Sequence, residues 1–324
     1  MALHPSLAAV RAGVRRALAD VEPGATVMVA CSGGADSLAL LAATVFEGHK
    51  EAHRIIGVTV DHGLQDGSAE RAAAVSEQMR SLGVYESAVA TVDVDAPGLG
   101  PEAAAREARY SVLGELAERF GTEVVLLGHT MDDQAETVLL GLARGSGARS
   151  LAGMRAGFER FRRPLLGVTR TDTETACLVE GIEWWTDPHN SDPRFTRSRV
   201  RTVVLPMLEQ ELGPGVSAAL ARTAELLRED ADALDDEAER RLPELRTSDG
   251  IEATGAAALV AAIRHRVIRL ACLEAGAIGS ELTREHVLAV ADLVHAGRDP
   301  RQIQLPGHVT AYRDGTSLRF RSTV

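Results

Sequence analysis

Two short runs carry side chains whose types and spacing suit phosphate chemistry. In VMVACSGGADSLALL, residues 27–41, an apolar segment leads into Ser32, Gly33, Gly34, Ala35, Asp36 and Ser37 and then into a helical pattern. Adjacent glycines let backbone approach an anion and turn with positive φ, while the first free N–H groups of a helix and the serine hydroxyls point at it. In LLGHTMDDQAET, residues 126–137, His129 lies in a turn, and Asp132, Asp133 and Glu136 open a second helix. Glu136 shares a helical face with both aspartates. Acidic residues at a helix start also cap N–H groups and complement the helix dipole, so this run alone has a purely structural explanation. Set beside a phosphate loop, Asp36 with Asp132 or Asp133 offers the hard oxygen ligands that Mg²⁺ prefers, and Asp36 and Asp132 are the expected metal pair.

Three weaker features add to these. VTVDHGL places Asp61 and His62 at the end of a strand pattern, where a turn can receive adenine or ribose. PEAAAREARY starts a helix at Pro101 and sets Arg106 and Arg109 one turn apart, able to reach one phosphate or carboxylate together. Between Arg144 and Arg201 there are eleven Arg against three Asp and four Glu. The densest piece is RFTRSRVR, in which Arg197 and Arg201 share a helical face suited to RNA phosphates or a flipped base.

The elements that must position these residues follow from periodicity. A first amphipathic helix carries Leu7, Val10, Val14 and Leu18. β-rich runs at 26–31, 54–60, 84–93 and 123–128 then alternate with helical patterns at 36–47, 67–82, 101–120 and 131–144. Such alternation predicts an α/β fold with a doubly wound parallel sheet and ligands at the carboxyl ends of the strands. Both chemistry-bearing runs follow a strand, so both should open onto one edge. A helix at 169–181, an irregular run WWTDPHNSDPRF and a helix at 196–211 close a first domain, 1–212. A second, smaller, mostly helical domain, 213–324, has an acidic helix after Glu225, a break at PELRTSDG and helices near 256–275 and 282–296. It ends in a β-hairpin turning at Asp314–Gly315.

Bulk properties exclude several classes. A net charge of −11 does not suit a protein that coats nucleic acid, so any RNA contact must be local. Cys31, Cys177 and Cys272 are widely spaced and odd in number, which argues against disulfides, zinc or an iron–sulfur cluster. No apolar stretch approaches a membrane span and the N-terminus lacks a signal-peptide layout, so no membrane association and a cytoplasmic location are expected. Only 11 of 324 residues are aromatic, so extended base stacking is not the binding strategy; Trp184, Trp185 and Phe195 are the few candidates.

SGGADS resembles the SGGxDS signature of the PP-loop ATP pyrophosphatases, which hold the β and γ phosphates of ATP and react through the α phosphate. The order SGGADS, DHGL, AAAREARY, GHTMDDQAET, LARGSGARSLAGM, RPLL and RFTRSRVRTVVLPML, over about residues 25–212, is similar to that of the tRNA(Ile)-lysidine synthetases. That resemblance implies adenylation of the C2 oxygen of the wobble cytidine in a CAU-anticodon tRNA(Ile), then displacement of AMP by the side-chain amine of free L-lysine. ATP and Mg²⁺ are the implied cofactors. Position by position it implies ATP binding by Ser32, Gly33, Gly34, Ala35, Asp36, Ser37, Asp61, His62 and His129. Catalytic work falls to Asp36, Arg106, Asp132, Asp133 and Glu136, and substrate binding to Arg109, Arg144, Arg197 and Arg201. Asp36 or Asp132 would hold the lysine ammonium and accept its proton.

Two departures stand out: Ser198 occupies a position where many family members carry Asn, and the additional C-terminal domain of longer members is not expected, since the sequence stops short of it. A tRNA thiolase of the same superfamily is the nearest rival, disfavoured by the lack of paired cysteines. A nucleotide-holding module without turnover is another, disfavoured because it has no use for the carboxylates. The oligomeric state is left open, a homodimer included.

Overall fold

A computed structural model describes residues 3–61, 63, 67–92, 101–145, 147–187, 191–295 and 301–323, with side chains from residue 106 onward in the helix that begins at 101. The chain divides into two compact units, Met1–Glu225 and Leu226–Val324.

The first unit is built on a six-stranded sheet. Its strands are β1 (Thr26–Ala30), β2 (Arg54–Asp61), β3 (Glu86–Thr91), β4 (Val124–Leu127), β5 (Gly157–Phe158) and β6 (Phe161–Arg162), in the order β3-β2-β1-β4-β6-β5. All neighbours pair in parallel except β5, which runs antiparallel to β6. The helices are α1 (Pro5–Ala17), α2 (Ala35–Gly48), α3 (Ser68–Ser81), α4 (Pro101–Arg119), α5 (Met131–Ala143), α6 (Ala148–Leu151) and α7 (Arg170–Glu180). β1 reads TVMVA without polar alternation because both faces are covered. Val27 and Val29 join a core with Val10, Val14, Leu38 and Leu41 from α1 and α2. Met28 points the other way, to Leu113 and Ala117 of α4. The expected doubly wound α/β fold is present.

The order also locates the site. β2 lies on one side of β1 and β4 on the other, so the winding reverses between β1 and β4, and a crevice opens at their carboxyl ends. The loops leaving these two strands are the two chemistry-bearing runs. Gly128 draws them together, since a Cβ there would stand 3.1 Å from the backbone of Ser37.

Downstream, the helix expected over 196–211 is not uniform. It comprises α8 (Thr196–Arg199), a π turn over Val200–Val204 and α9 (Leu205–Leu212). Pro206 has no N–H to offer the carbonyl of Thr202, and a widened turn just before it absorbs the missing bond.

The second unit contains most of α10 (Val216–Leu245), then β7 (Gly250–Glu252), α11 (Ala253–Ala258), α12 (Ala261–Glu274), α13 (Arg284–His295), β8 (Gln302–Leu305), β9 (Val309–Asp314) and β10 (Ser317–Ser322). Its core gathers Ile251, Val267, Ile268, Cys272, Val290, Leu293 and Leu318. The terminal hairpin is present, turning at Gly315 with φ +60°, but it belongs to a four-stranded antiparallel sheet, β7-β10-β9-β8. The strands β7 and β8 are too short to show as alternation. The expected helix at 256–275 is split at Leu259–Val260, where Arg264 donates to the carbonyls of Ala257 and Leu259 and closes the shorter helix.

Candidate active site

The loop after β1 is organised by Ser37, which is 6% exposed. Its hydroxyl accepts from the Ser32 amide at 3.1 Å, donates to the Gly34 carbonyl at 2.9 Å and lies 3.3 Å from the Ser32 hydroxyl. Gly33 has φ +81°, and a Cβ there would sit 2.6 Å from Cγ2 of Val75, so only glycine fits. The Trp185 amide donates to the Gly33 carbonyl at 3.1 Å, tying the segment after α7 to the loop, and the Arg71 guanidinium stacks 3.8 Å from the Trp185 ring centroid. α2 then starts at Ala35 with Asp36 in its first turn, an arrangement with amides and hydroxyls ready for an anion.

Across the switch point, α5 begins after Thr130, whose amide donates to the Asp133 carboxylate at 2.8 Å. Asp133 therefore caps its own helix, the ordinary structural duty of an acid at that position. The carboxylates nevertheless cluster. Arg170, the first residue of α7, reaches Asp36 from Nε at 3.4 Å, Asp133 from Nη2 at 3.3 Å and Glu136 from Nη1 at 3.7 Å. Its own amide donates to Asp132 at 2.7 Å. Thr173, one turn on, donates its hydroxyl to the other oxygen of Asp36.

Glu136 is fully buried and receives Arg197 Nε at 2.8 Å and Arg201 Nε at 2.6 Å; Arg201 also reaches Asp133 at 3.1 Å. The Arg197 and Arg201 side chains are 30% and 26% exposed. Burial pushes the Asp36 carboxyl above its ordinary value, against the pull of Arg170 and Thr173. Burial acts the same way on Asp133, but Arg170, the Thr130 amide, Arg197 and Arg201 outweigh it and hold that carboxyl below the usual range. A cleft of about 220 Å³ adjoins the cluster, lined by Asp132, Glu136, Arg170 and Arg201 with Leu205, Pro206, Glu209 and Ser217.

A cationic group faces the same edge. Arg163 donates to Nδ1 of His129 at 3.3 Å and to the Tyr110 hydroxyl at 3.0 Å; Arg106 reaches that hydroxyl at 3.5 Å. Burial lowers the Arg109 guanidinium from its ordinary value, and the positive fields of Arg106, Arg197 and Arg163 add to the effect. The imidazole of His129 is pushed down to about 3, mainly by burial and then by Arg163, Arg109 and Arg106, with Asp133 opposing. It is neutral at any ordinary pH. Crowded guanidiniums of this kind are relieved by an anion, which suits a phosphate or an RNA backbone.

The structure thus gathers Ser32, Gly33, Gly34, Ala35, Asp36, Ser37, His129, Asp132, Asp133 and Glu136 at one edge, with Arg106, Arg109, Arg197 and Arg201 around them. Asp61 ends β2, its carboxylate accepting from the Gly63 amide at 2.9 Å, while His62 lies outside the described residues. Arg144 is not brought to this edge. It is exposed at the far end of α5, about 20 Å along the helix from Met131.

Sequence reading missed Arg170, Thr173, Arg163 and Tyr110. A signal for Arg170 exists. Thr169 and Asp172 form a capping box that fixes the helix start, and a cation at the first helical position opposes the helix dipole unless a carboxylate holds it there.

Comparison with known proteins fits this geometry. Residues 8–208 match the PP-loop domain family, and residues 255–318 match the TilS substrate binding domain. The tRNA(Ile)-lysidine synthase of Thermobifida fusca is 52% identical over 306 residues, covering 94% of each chain. That of Streptomyces coelicolor is 48% identical over 351 residues, covering 99% of each. The chain belongs to the tRNA(Ile)-lysidine synthase family. In fold it is also similar to the U34-tRNA thiolase NcsA from Methanococcus maripaludis, a [4Fe-4S] protein, with a TM-score of 0.57 at 18% identity over 69% of this chain and 80% of that one. Cys31, Cys177 and Cys272 are all buried and free.

Proposed function

We propose that this chain is an ATP-dependent tRNA(Ile)-lysidine synthase, which adenylates the C2 carbonyl oxygen of the wobble cytidine in a CAU anticodon and then joins the side-chain nitrogen of free L-lysine to C2, that oxygen leaving with AMP. The products are lysidine, AMP and pyrophosphate. The observation that carries this reading is the meeting of the glycine loop after β1 and the acidic turn after β4 at one switch point, in a chain similar over 94% of its length to named lysidine synthases. Among the described residues no helix is long and apolar enough to cross a membrane, and the reaction suits a cytoplasmic enzyme.

Each group has a role that its surroundings support. The amides of Ser32 to Ser37 hold the departing pyrophosphate, and Arg106 and Arg109 offset charge on the α phosphate. The lysine amine must shed a proton before it attacks, and free ammonium groups of this type have a pKa of about 10.4. Asp36, its carboxyl raised by burial, and Asp132, held on one oxygen by the Arg170 amide, are placed to bind that ammonium and take the proton. Asp133 and Glu136 fix Arg197 and Arg201, whose exposed portions contact the RNA, and Arg144 lies farther out along the same RNA.

Among the described residues no group of three or more His, Cys, Asp or Glu converges on a metal position. Mg²⁺ is commonly held through phosphate oxygens and water with one or two carboxylates. Asp36 and Asp132 would be those carboxylates, and the ion would neutralise phosphate charge. The test is AMP and pyrophosphate release from ATP in the presence of L-lysine, with and without CAU-anticodon tRNA(Ile), for the native enzyme and Asp132→Ala. tRNA-dependent release lost in the variant supports the reading; release indifferent to tRNA and to Asp132 refutes it.

A further inference from the structure

Seven charged side chains meet at the site, and they do not pair equally. Arg201 lies 2.6 Å from Glu136 and Arg197 2.8 Å, the distances of committed charge-assisted hydrogen bonds. Arg170 is different. Its three contacts, to Asp36, Asp133 and Glu136, are 3.4, 3.3 and 3.7 Å, so one guanidinium is shared among three carboxylates, with long hydrogen bonds to Asp36 and Asp133 and none to Glu136. Its side chain is 22% exposed, against 21% for Asp36 and 0% for Glu136. Contact with Asp36 is therefore the one that can open toward solvent at little cost, while the backbone of Arg170 stays anchored on Asp132.

Charge explains why an arginine is there at all. Four carboxylates, Asp36, Asp132, Asp133 and Glu136, face Arg170, Arg197 and Arg201, so without Arg170 the cluster would hold four negative charges against two positive ones. A guanidinium at the helix position least favourable to a cation is the ion that this cluster keeps when no other is bound.

We infer that Arg170 is a positioning residue that stands in for the reaction's own cation at Asp36: it holds that carboxylate in the substrate-free enzyme and yields it when the divalent ion or the lysine ammonium arrives. This rests on the proposed lysidine synthase reading, because it takes the cation site to be the one beside the phosphate loop. Arg170 and the incoming cation compete for Asp36, so the residue sets cation affinity there.

The experiment measures Mn²⁺ binding by electron paramagnetic resonance to the full chain saturated with α,β-methylene-ATP, which cannot be cleaved between its α and β phosphates. Arg170 is a positive charge 3.4 Å from Asp36, so removing this competitor in Arg170→Gln should tighten Mn²⁺ by about tenfold or more. Arg170→Lys, which keeps the charge, should restore affinity to within about threefold of native. Unchanged or weaker Mn²⁺ binding in Arg170→Gln, or equal tightening in both variants, overturns the inference.

A second measurement uses native protein and does not depend on Arg170→Gln folding. The arginine Nε–H resonance that disappears in Arg170→Lys should shift in the native enzyme when Mg²⁺ is added to the analogue complex. A resonance indifferent to Mg²⁺ also overturns the inference. If the native chain binds neither α,β-methylene-ATP nor Mn²⁺, it is the functional reading that has failed.

Discussion

Removing the Glu136 carboxylate should destabilise the first unit more than any other single charge deletion at the site. Glu136 has no exposed surface and takes Arg197 at 2.8 Å and Arg201 at 2.6 Å, with Arg170 farther off at 3.7 Å. Breaking a fully buried pair from one side costs about 3–5 kcal/mol, because the remaining partner is left charged and unpaired. Here the arginines keep 30% and 26% of their side chains exposed and can turn partly to water, which lowers the expectation for Glu136→Ala to about 2–4 kcal/mol. For a unit of this size, that lowers the midpoint by roughly 5–15 °C.

The assay is favourable because both tryptophans, Trp184 and Trp185, lie in the first unit, so intrinsic fluorescence in urea follows its unfolding. Glu136→Gln, which keeps shape and one acceptor, should lose less than Glu136→Ala. Arg201→Ala combined with Glu136→Ala should cost clearly less than the two singles summed, the mark of a direct interaction. A loss below about 1 kcal/mol in Glu136→Ala, or strict additivity in the double variant, would refute the view that Glu136 anchors the arginines.

Further outcomes follow from other parts of the molecule. Gly33→Ala forces a left-handed residue against Val75, a strain of about 1–2 kcal/mol or more, and should weaken α,β-methylene-ATP binding about tenfold; binding within twofold of native contradicts the loop geometry. His129 takes a proton near 6.5 in the unfolded chain but only at about 3 in the folded one. Between those values the unfolded state holds more protons, so His129 makes stability fall as pH falls, by up to about 1.4 kcal/mol per unit, and His129→Gln should flatten the fluorescence-detected slope between pH 4 and 6.5. A slope unchanged in His129→Gln counts against a buried neutral imidazole. Cys177 and Cys272 are pushed up to about 12 by burial, and Cys31 is raised for the same reason. A neutral thiol reagent at pH 8 should therefore label none of the three in the native chain and all three in denaturant, and rapid native labelling would contradict their burial.

The features legible from sequence were those written locally. The strand–glycine–helix texture of residues 26–41 and the apolar β1 and β4 give the parallel sheet, and the sheet dictates that loops after neighbouring strands share an edge. What was not legible depends on long-range packing. Arg163 and Tyr110 come from segments more than fifty residues apart in sequence, and only the fold brings their side chains to 3.0 Å. Arg197 and Arg201 read as an RNA-facing pair, correctly placed on one helical face, but nothing local says that Glu136 would claim that face. The π turn follows from Pro206 only once the helix on both sides of it is known. β7 and β8 needed the hairpin to pair with before their few residues became strands.

The most direct test of the central claim incubates the full chain with ATP, Mg²⁺, isotope-labelled L-lysine and a CAU-anticodon tRNA(Ile) transcript, then digests the RNA to nucleosides for mass spectrometry. The predicted result is one lysine joined to the wobble cytidine, formed with AMP, dependent on ATP and lost in Asp36→Asn. Unmodified cytidine at that position, in an enzyme that binds ATP and the tRNA, would contradict lysidine synthesis as the function of this site.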